Sequence, residues 1–373
     1  MKKLIALLLV IGLMLCGCSG APEAETTLPA TEVPTTAAPT TEPPTEVPTE
    51  VPTEAPTEAP TEAPTEPPVV GFNPLTGEPL TVESNSRTFA VVINNVPKAM
   101  PMYGVSKADL FFEMFVNDYA TRGLALFSDI TEVSSVGSVR SLRYNFTDLC
   151  QSYDAIVFHA SGSDAVLRDR RNAGVDHVSV ESEAGNYYFR DKNRRNQGYA
   201  TEHCLFIKGE ESLEYAAGKG IRVTRKDNAD YGLIFAQDGT PNGEDANTIQ
   251  INLKHDSSTK QTVMQYDADR GNYQFIQYKK PVYDDAEKQD VCFENVIVML
   301  CRVYNDGVYH VADLESSGEG YFACGGKIIP ILWSHEDMNE PILFTHEDGT
   351  PLELGVGNTY VALAPLKSTV EWE

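Results

Sequence analysis

Two stretches carry the residue types best suited to chemistry. Arg140 and Arg143 lie three apart within Gly137-Ser-Val-Arg-Ser-Leu-Arg-Tyr-Asn-Phe-Thr-Asp148, and His159, Ser161 and Ser163 lie at the end of the apolar run Ala155-Ile-Val-Phe-His-Ala160. The first stretch reads as a turn opening a helix, the second as a buried strand ending in a turn. Cations in the first turn of a helix oppose the positive end of its dipole and cost a little stability. An anion held there reverses the penalty, because free backbone N–H groups and guanidiniums all point at it. Arg122, Arg190 and Arg194 extend the expectation to a cleft at the strand ends, with Ser161 and Ser163 donating hydrogen bonds and His159 beside them. The alternative is that Glu113, Asp148 or Asp154 folds over and neutralises the arginines.

Other chemistries find less support. His159, Ser161, Ser163 and Asp164 crowd one turn, whereas a hydrolytic triad draws its members from separate parts of a fold, and no Gly-x-Ser-x-Gly elbow is present. His159, His177, Glu202 and His203 lack metal-ligand spacing. Cys150, Cys204, Cys292, Cys301 and Cys324 show no C-x-x-C spacing, so zinc-finger and thioredoxin-type sites are not expected. Buried free thiols are expected, with a Cys292–Cys301 disulfide as the alternative. No metal and no cofactor are expected, and no catalytic residue is assigned.

The elements that must position the arginines can be read from hydrophobic runs. Residues 89–94, 109–116 and 123–127 look like strands buried on both faces, with Arg122 in the turn between the second and third. The 155–160 strand follows the arginine stretch, and residues 163–172 form a helix with Ser163 as N-cap. A short helix over 213–217 closes this half. Strands alternating with helices predict an α/β domain over 71–235 with a mixed or mostly parallel sheet, whose ligands gather beyond the carboxyl ends of the strands. Residues 236–373 change texture: short strand-like runs at 249–253, 262–266, 273–278, 296–303, 308–312, 328–333 and 360–364 are separated by Gly, Asp and Asn turns. That half reads as a mainly β sandwich or barrel, making the chain multidomain α+β overall.

The start of the chain reads as an address. Met1-Lys-Lys3 and an apolar run over 4–15 suit a secretory signal and are too short to span a bilayer. Residues 1–17 are expected to be a signal peptide. Residues 18–70 are expected to be a disordered linker, for which ten glutamates, no Lys or Arg, and a Thr-Glu-x-Pro repeat preclude a packed core. Fully extended, that segment reaches on the order of 160 Å. The formal charge of −25 is shared unevenly. Residues 71–235 hold 18 Lys+Arg against 21 Asp+Glu, a net of −3, and residues 236–373 hold 9 against 23, a net of −14. Nucleic acid is therefore a poor partner.

Several segments resemble the YerB-like family of two-domain bacterial lipoproteins, which has no assigned function. The matching residues are Asn73-Pro-Leu-Thr-Gly77, Val91-Val-Ile-Asn-Asn95, Ser106-Lys-Ala-Asp109, Gly137-Ser-Val-Arg-Ser-Leu-Arg143, Tyr153-Asp-Ala-Ile-Val157, Asn295-Val-Ile-Val298 and Gly325-Gly-Lys-Ile-Ile-Pro-Ile-Leu-Trp333. Departures are Ser138 where the family usually has proline, Ala160-Ser-Gly-Ser163 where it has Gly-Gly-Ser, and Glu202-His-Cys-Leu-Phe-Ile207. Leu15-Cys16-Gly17-Cys18 resembles the lipoprotein box, which implies diacylglyceryl attachment to Cys18. The expectation is an extracytoplasmic protein of the cell envelope, held at the cell membrane by lipid on Cys18. It would hold an anionic cell-wall component or an envelope protein, the alternative being an enzyme acting on a phosphate- or glycan-containing substrate.

Overall fold

The computed structural model describes residues 67–118 and 120–373. The signal, the lipid-box Cys18 and nearly all of the Thr/Glu/Pro spacer lie outside the described residues. In the first half the principal elements are β1 (Phe89–Asn95), β2 (Leu110–Asn117), β3 (Ala120–Phe127), α1 (Tyr144–Ser152), β4 (Ile156–His159), α2 (Asp164–Asn172), β5 (His177–Ser179), β6 (Tyr188–Arg190), α3 (Lys192–Asn196), β7 (Leu205–Ile207) and α4 (Gly209–Gly218). In the second half they are β8 (Thr248–His255), β9 (Ser258–Asp267), β10 (Asn272–Gln277), β11 (Asn295–Cys301), β12 (Ser317–Cys324), β13 (Lys327–Ser334), β14 (Thr359–Pro365) and β15 (Thr369–Trp372).

An 11-stranded mixed sheet runs through both halves, in the order β13-β12-β11-β14-β2-β3-β1-β4-β5 with short edge strands beyond and beside β13. The join is the parallel pairing of β14 with β2, Thr359 opposite Leu110 through Leu363 opposite Met114. β2, β3 and β1 are antiparallel neighbours, and β1, β4 and β5 run parallel. Burial on both faces explains the unbroken apolar sequence of β1 and β2. Gly123 is required on β3, since a Cβ there would stand 2.3 Å from the Phe111 ring of β2.

A second, six-stranded antiparallel sheet is built around β10-β9-β8-β15. Strands β8 and β10 alternate strictly between buried and half-exposed residues along most of their length, the mark of a sheet packed on one face. Their buried side, with Ile249, Ile251 and Phe275, lies in one core with Phe111, Val296, Val298 and Tyr360 of the large sheet. Phe111, Phe275, Phe293 and Tyr360 form its aromatic centre, with Phe275 and Tyr360 at 5.4 Å. On the opposite face Phe146, Leu149 and Cys150 of α1, with Tyr153 at its C-cap, pack with Phe112, Leu124, Ile297 and Val361. The first half is thus a mixed α/β sheet and the second mainly antiparallel β. Among the described residues no helix follows α4.

Two local expectations are corrected. Arg140 and Arg143 do not share the first turn of a helix: α1 begins at Tyr144, with Arg143 extended at its N-cap. Residues 137–142 are drawn into β-type pairing instead. Val139 bridges Ile93, the N–H of Arg140 donates to the Val92 carbonyl, and that of Leu142 donates to the Ser161 carbonyl. Long-range backbone pairing wins over the local helical pattern. Arg122 lies within β3, opposite Asn94, and not in a turn. Among the described residues the five cysteines are free thiols, four of them buried.

Candidate functional site

The paired segment 138–142 brings the arginines together. It lies along the carboxyl end of β1 on one side and against the turn after β4 on the other, where the Ala160 N–H donates to the Arg140 carbonyl. Arg122 is delivered by the neighbouring strand β3, and its Nη1 donates to the Ser141 carbonyl at 2.6 Å. Arg143 donates from Nη1 to the Leu142 carbonyl at 2.6 Å, and its guanidinium carbon sits 4.2 Å from the ring centroid of Tyr309. Arg122 is 6 % and Arg143 8 % exposed, while Arg140 is half-buried.

None of these three guanidiniums is ion-paired among the described residues. The acids that could have neutralised them are engaged or set elsewhere: Glu113 with Lys260, and Asp154 with Arg87, Arg222 and Lys226. Asp148 is raised to about 7 by burial and by Asp169 and Glu315, with no arginine offsetting it. Nε of Arg140 and of Arg143 are buried with no hydrogen-bond partner among the described residues. Burial, then the charges of Arg143 and Arg140, hold Arg122 far below its ordinary value, down to about 8. Burial lowers Arg140 and Arg143 too, with Glu202 and Glu181 partly restoring the first and Tyr309 the second. A guanidinium keeps its proton in a protein, so the direction of these shifts marks a site crowded with three charges removed from water. No side chain caps α1, which leaves orphan N–H groups in its first turn beside them.

The remaining predicted residues divide. Ser161 joins the cluster's rim, its hydroxyl 3.1 Å from that of Ser141. Ser163 is the N-cap of α2, accepting from the Val166 N–H. His159 is fully buried beneath the turn, with Nδ1 2.9 Å from the Ser161 carbonyl and Nε2 2.8 Å from Nδ1 of His177. Burial pushes His159 down to about 3 and His177 to about 4. Both rings are therefore neutral scaffolding, and among the described residues His159 hydrogen-bonds to a carbonyl and to an imidazole but to no hydroxyl.

Arg190 pairs with Glu181 at 2.6 Å. Arg194 is buried, bonded to the carbonyls of Ala99, Pro101 and His203, and sandwiched by Tyr103, Tyr199 and Phe206. These two are thus committed to structural partners, and the converging set narrows to Arg122, Arg140 and Arg143. Sequence reasoning missed Tyr309, which stacks on Arg143 from 166 positions away in the chain, and Asn94, whose amide nitrogen is 2.7 Å from Nδ1 of His203. No spacing could have signalled either.

A second polar centre lies buried between the sheets. Glu113 of β2 accepts at Oε1 from Asn95, Thr121 and Lys260, and at Oε2 from Thr262, Gln277 and the Tyr360 hydroxyl at 2.7 Å. Despite its burial, Lys260 and these donors hold Glu113 below its usual value. A groove of about 1450 Å³ opens elsewhere, lined by seven carboxylates against the four cations Lys107, Arg225, Arg270 and Lys288, an acidic balance that disfavours anions.

The class is therefore a mixed α/β sheet continued by a mainly antiparallel β region, with a guanidinium cluster at its strand ends. The chain belongs to the YerB-like family. Residues 75–222 match "Protein of unknown function (DUF3048) N-terminal domain", and residues 249–361 match the corresponding C-terminal domain. A curated relative, "Putative lipoprotein YerB" of Bacillus subtilis (strain 168), is 27 % identical over 301 residues, covering 78 % of this chain and 86 % of that protein. The crystal structure of YerB protein from Bacillus subtilis matches with a TM-score of 0.69 at 24 % identity, covering 80 % of this chain and 99 % of that one. That likeness concerns the fold.

Proposed function

We propose that the protein is a lipid-anchored binding protein of the cell envelope that holds an anionic group on Arg122, Arg140 and Arg143. The carrying observation is the convergence of three guanidiniums, two of them buried, at an uncapped helix start with no ion pair among the described residues. Planar guanidiniums recognise phosphate or carboxylate through paired N–H bonds. Binding is favoured over catalysis because His159 is engaged by a backbone carbonyl and His177, and Glu113 is locked to Lys260.

The anchor rests on the lipid box at Cys18 and on the curated relative's description as a lipoprotein. Residues 1–17 are removed in this reading, and residues 18–70 serve as the spacer. Loss of the Cys18→Ser variant from the membrane fraction is the expected outcome in cells; retention of that variant would refute the lipid anchor. For the site, the full chain is titrated with inorganic phosphate, phosphorylated lipid, anionic wall polymer and muropeptide, beside Arg140→Ala/Arg143→Ala. Binding by the parent and its loss in a still-folded double variant is expected. Binding by neither, or equally by both, would overturn the arginine site.

A further inference from the structure

Away from the arginine cluster, three turns meet at one corner of the molecule. Asp118 lies in the turn between β2 and β3, His255 ends β8 at its hairpin with β9, and His310 opens the short strand His310–Ala312. Up to 192 positions separate them in sequence, yet one ligand atom from each lies within 4.8 Å of the others. Oδ1 of Asp118 is 2.8 Å from Nε2 of His310, and the two imidazole rings stand 4.0 Å apart. The Ser258 hydroxyl donates to the Asp118 carbonyl and ties the two hairpins together. Phe115 packs edge-on against His310, ring centroids 6.3 Å apart.

The polar bookkeeping of this corner is incomplete. His310 is 2 % and His255 9 % exposed. Among the described residues, Nδ1 of both rings is buried without a hydrogen-bond partner, although the Asp256 carboxylate stands 3.5 Å from that of His255, and Nε2 of His310 faces the Asp118 carboxylate at 2.8 Å but outside hydrogen-bond angles. Buried polar groups are normally satisfied, and a pair of unsatisfied rings beside a carboxylate calls for a physical reason. A cation supplies one. Imidazole nitrogen ligates metal in its neutral form.

We infer that Asp118, His255 and His310 form a binding site for one divalent late transition-metal ion of the zinc type. Two imidazole nitrogens and one carboxylate oxygen suit zinc and its neighbours, and are too poor in oxygen for calcium or magnesium. Zinc ligands at their usual bond lengths stand about 3.4 Å apart in a tetrahedron, and the three ligand atoms here, from 2.8 Å between Asp118 and His310 up to at most 4.8 Å, bracket that spacing. The Asp118 side chain is 54 % exposed while His310 is 1 % exposed. The open direction therefore faces solvent, which leaves room for water or an exogenous ligand as in three-ligand zinc centres. The site is independent of the arginine reading, although Tyr309 beside His310 stacks on Arg143.

The test is titration of the purified, metal-stripped full chain with Co²⁺, followed by competition with Zn²⁺. One cobalt per chain is expected, with visible bands of a four- or five-coordinate site that vanish on addition of equimolar zinc. Asp118→Asn, on an exposed side chain, is expected to weaken binding at least about tenfold, and His255→Ala to abolish the bands. Circular dichroism checks that both variants remain folded. Surface carboxylates of so acidic a chain bind cations weakly. Binding that persists unchanged in both variants, or a parent that shows no such bands, would overturn the assignment.

Discussion

Arg122→Met is the perturbation that most directly separates a ligand site from a structural charge cluster. Arg122 is buried, has no ion pair among the described residues and is held down to about 8 by burial and by Arg143 and Arg140. A depression of that size corresponds to on the order of 6 kcal/mol of unfavourable free energy for the protonated side chain. Replacement by Met removes the charge at similar length. It forfeits one hydrogen bond to the Ser141 carbonyl, worth about 1 kcal/mol net, and relaxation of the site absorbs part of the remainder. Exchange even of a buried ion pair for well-packed apolar side chains is often neutral or stabilising by about 1–4 kcal/mol, and here the charge removed leaves no ion-pair partner behind among the described residues, so the variant is expected at about 1–3 kcal/mol above the parent in urea denaturation without ligand. Inorganic phosphate then supplies the second arm. At a hundred times its dissociation constant a ligand stabilises by about 2.7 kcal/mol, and this gain is expected in the parent and absent in Arg122→Met. A variant less stable than the parent by more than about 1 kcal/mol, with phosphate stabilising both proteins equally, would show that Arg122 is structural and refute the reasoning.

Glu113→Gln strands Lys260 without its buried partner and weakens an acceptor of six donors. A loss of about 3–5 kcal/mol is expected, substantially recovered in Glu113→Gln/Lys260→Met, and a double-mutant cycle by urea denaturation measures the coupling. Asp148 has its carboxyl raised to about 7, by burial first and then by Asp169 and Glu315. Between its ordinary value and pH 7 the folded state binds more protons than the unfolded one, so its contribution is present at low pH and lost as pH rises through 7. Asp148→Asn is accordingly expected to stabilise by on the order of 2 kcal/mol at pH 8 and by little at pH 4; equal effects at the two values would contradict this.

How much was legible in the sequence depends on how local each signal was. Strands β1, β2 and β4 announced themselves because burial on both faces leaves an unbroken apolar run, and Ser163 was readable because capping is decided within three residues. Strand β12, Ser-Gly-Glu-Gly-Tyr-Phe-Ala-Cys, escaped because its glycines look like turn formers. They serve close approach instead: a Cβ on Gly320 would stand 2.3 Å from the Val298 carbonyl oxygen. The arginine stretch was misread for a different reason, since its backbone partners Val92, Ser138 of its own segment against Asn94, and Ser161 belong to pairings between distant parts of the chain. The same non-locality governs the candidate sites. The Asp118, His255 and His310 corner and the contact of Tyr309 with Arg143 each join residues of the first half to residues of the second, which adds β14 beside β2. Glu113 stands at that junction, taking bonds from Thr262 and Gln277 of one sheet and Tyr360 of the other. The two halves thus share a sheet and a buried polar centre, and a change that loosens the Glu113 network is expected to disturb residues of both.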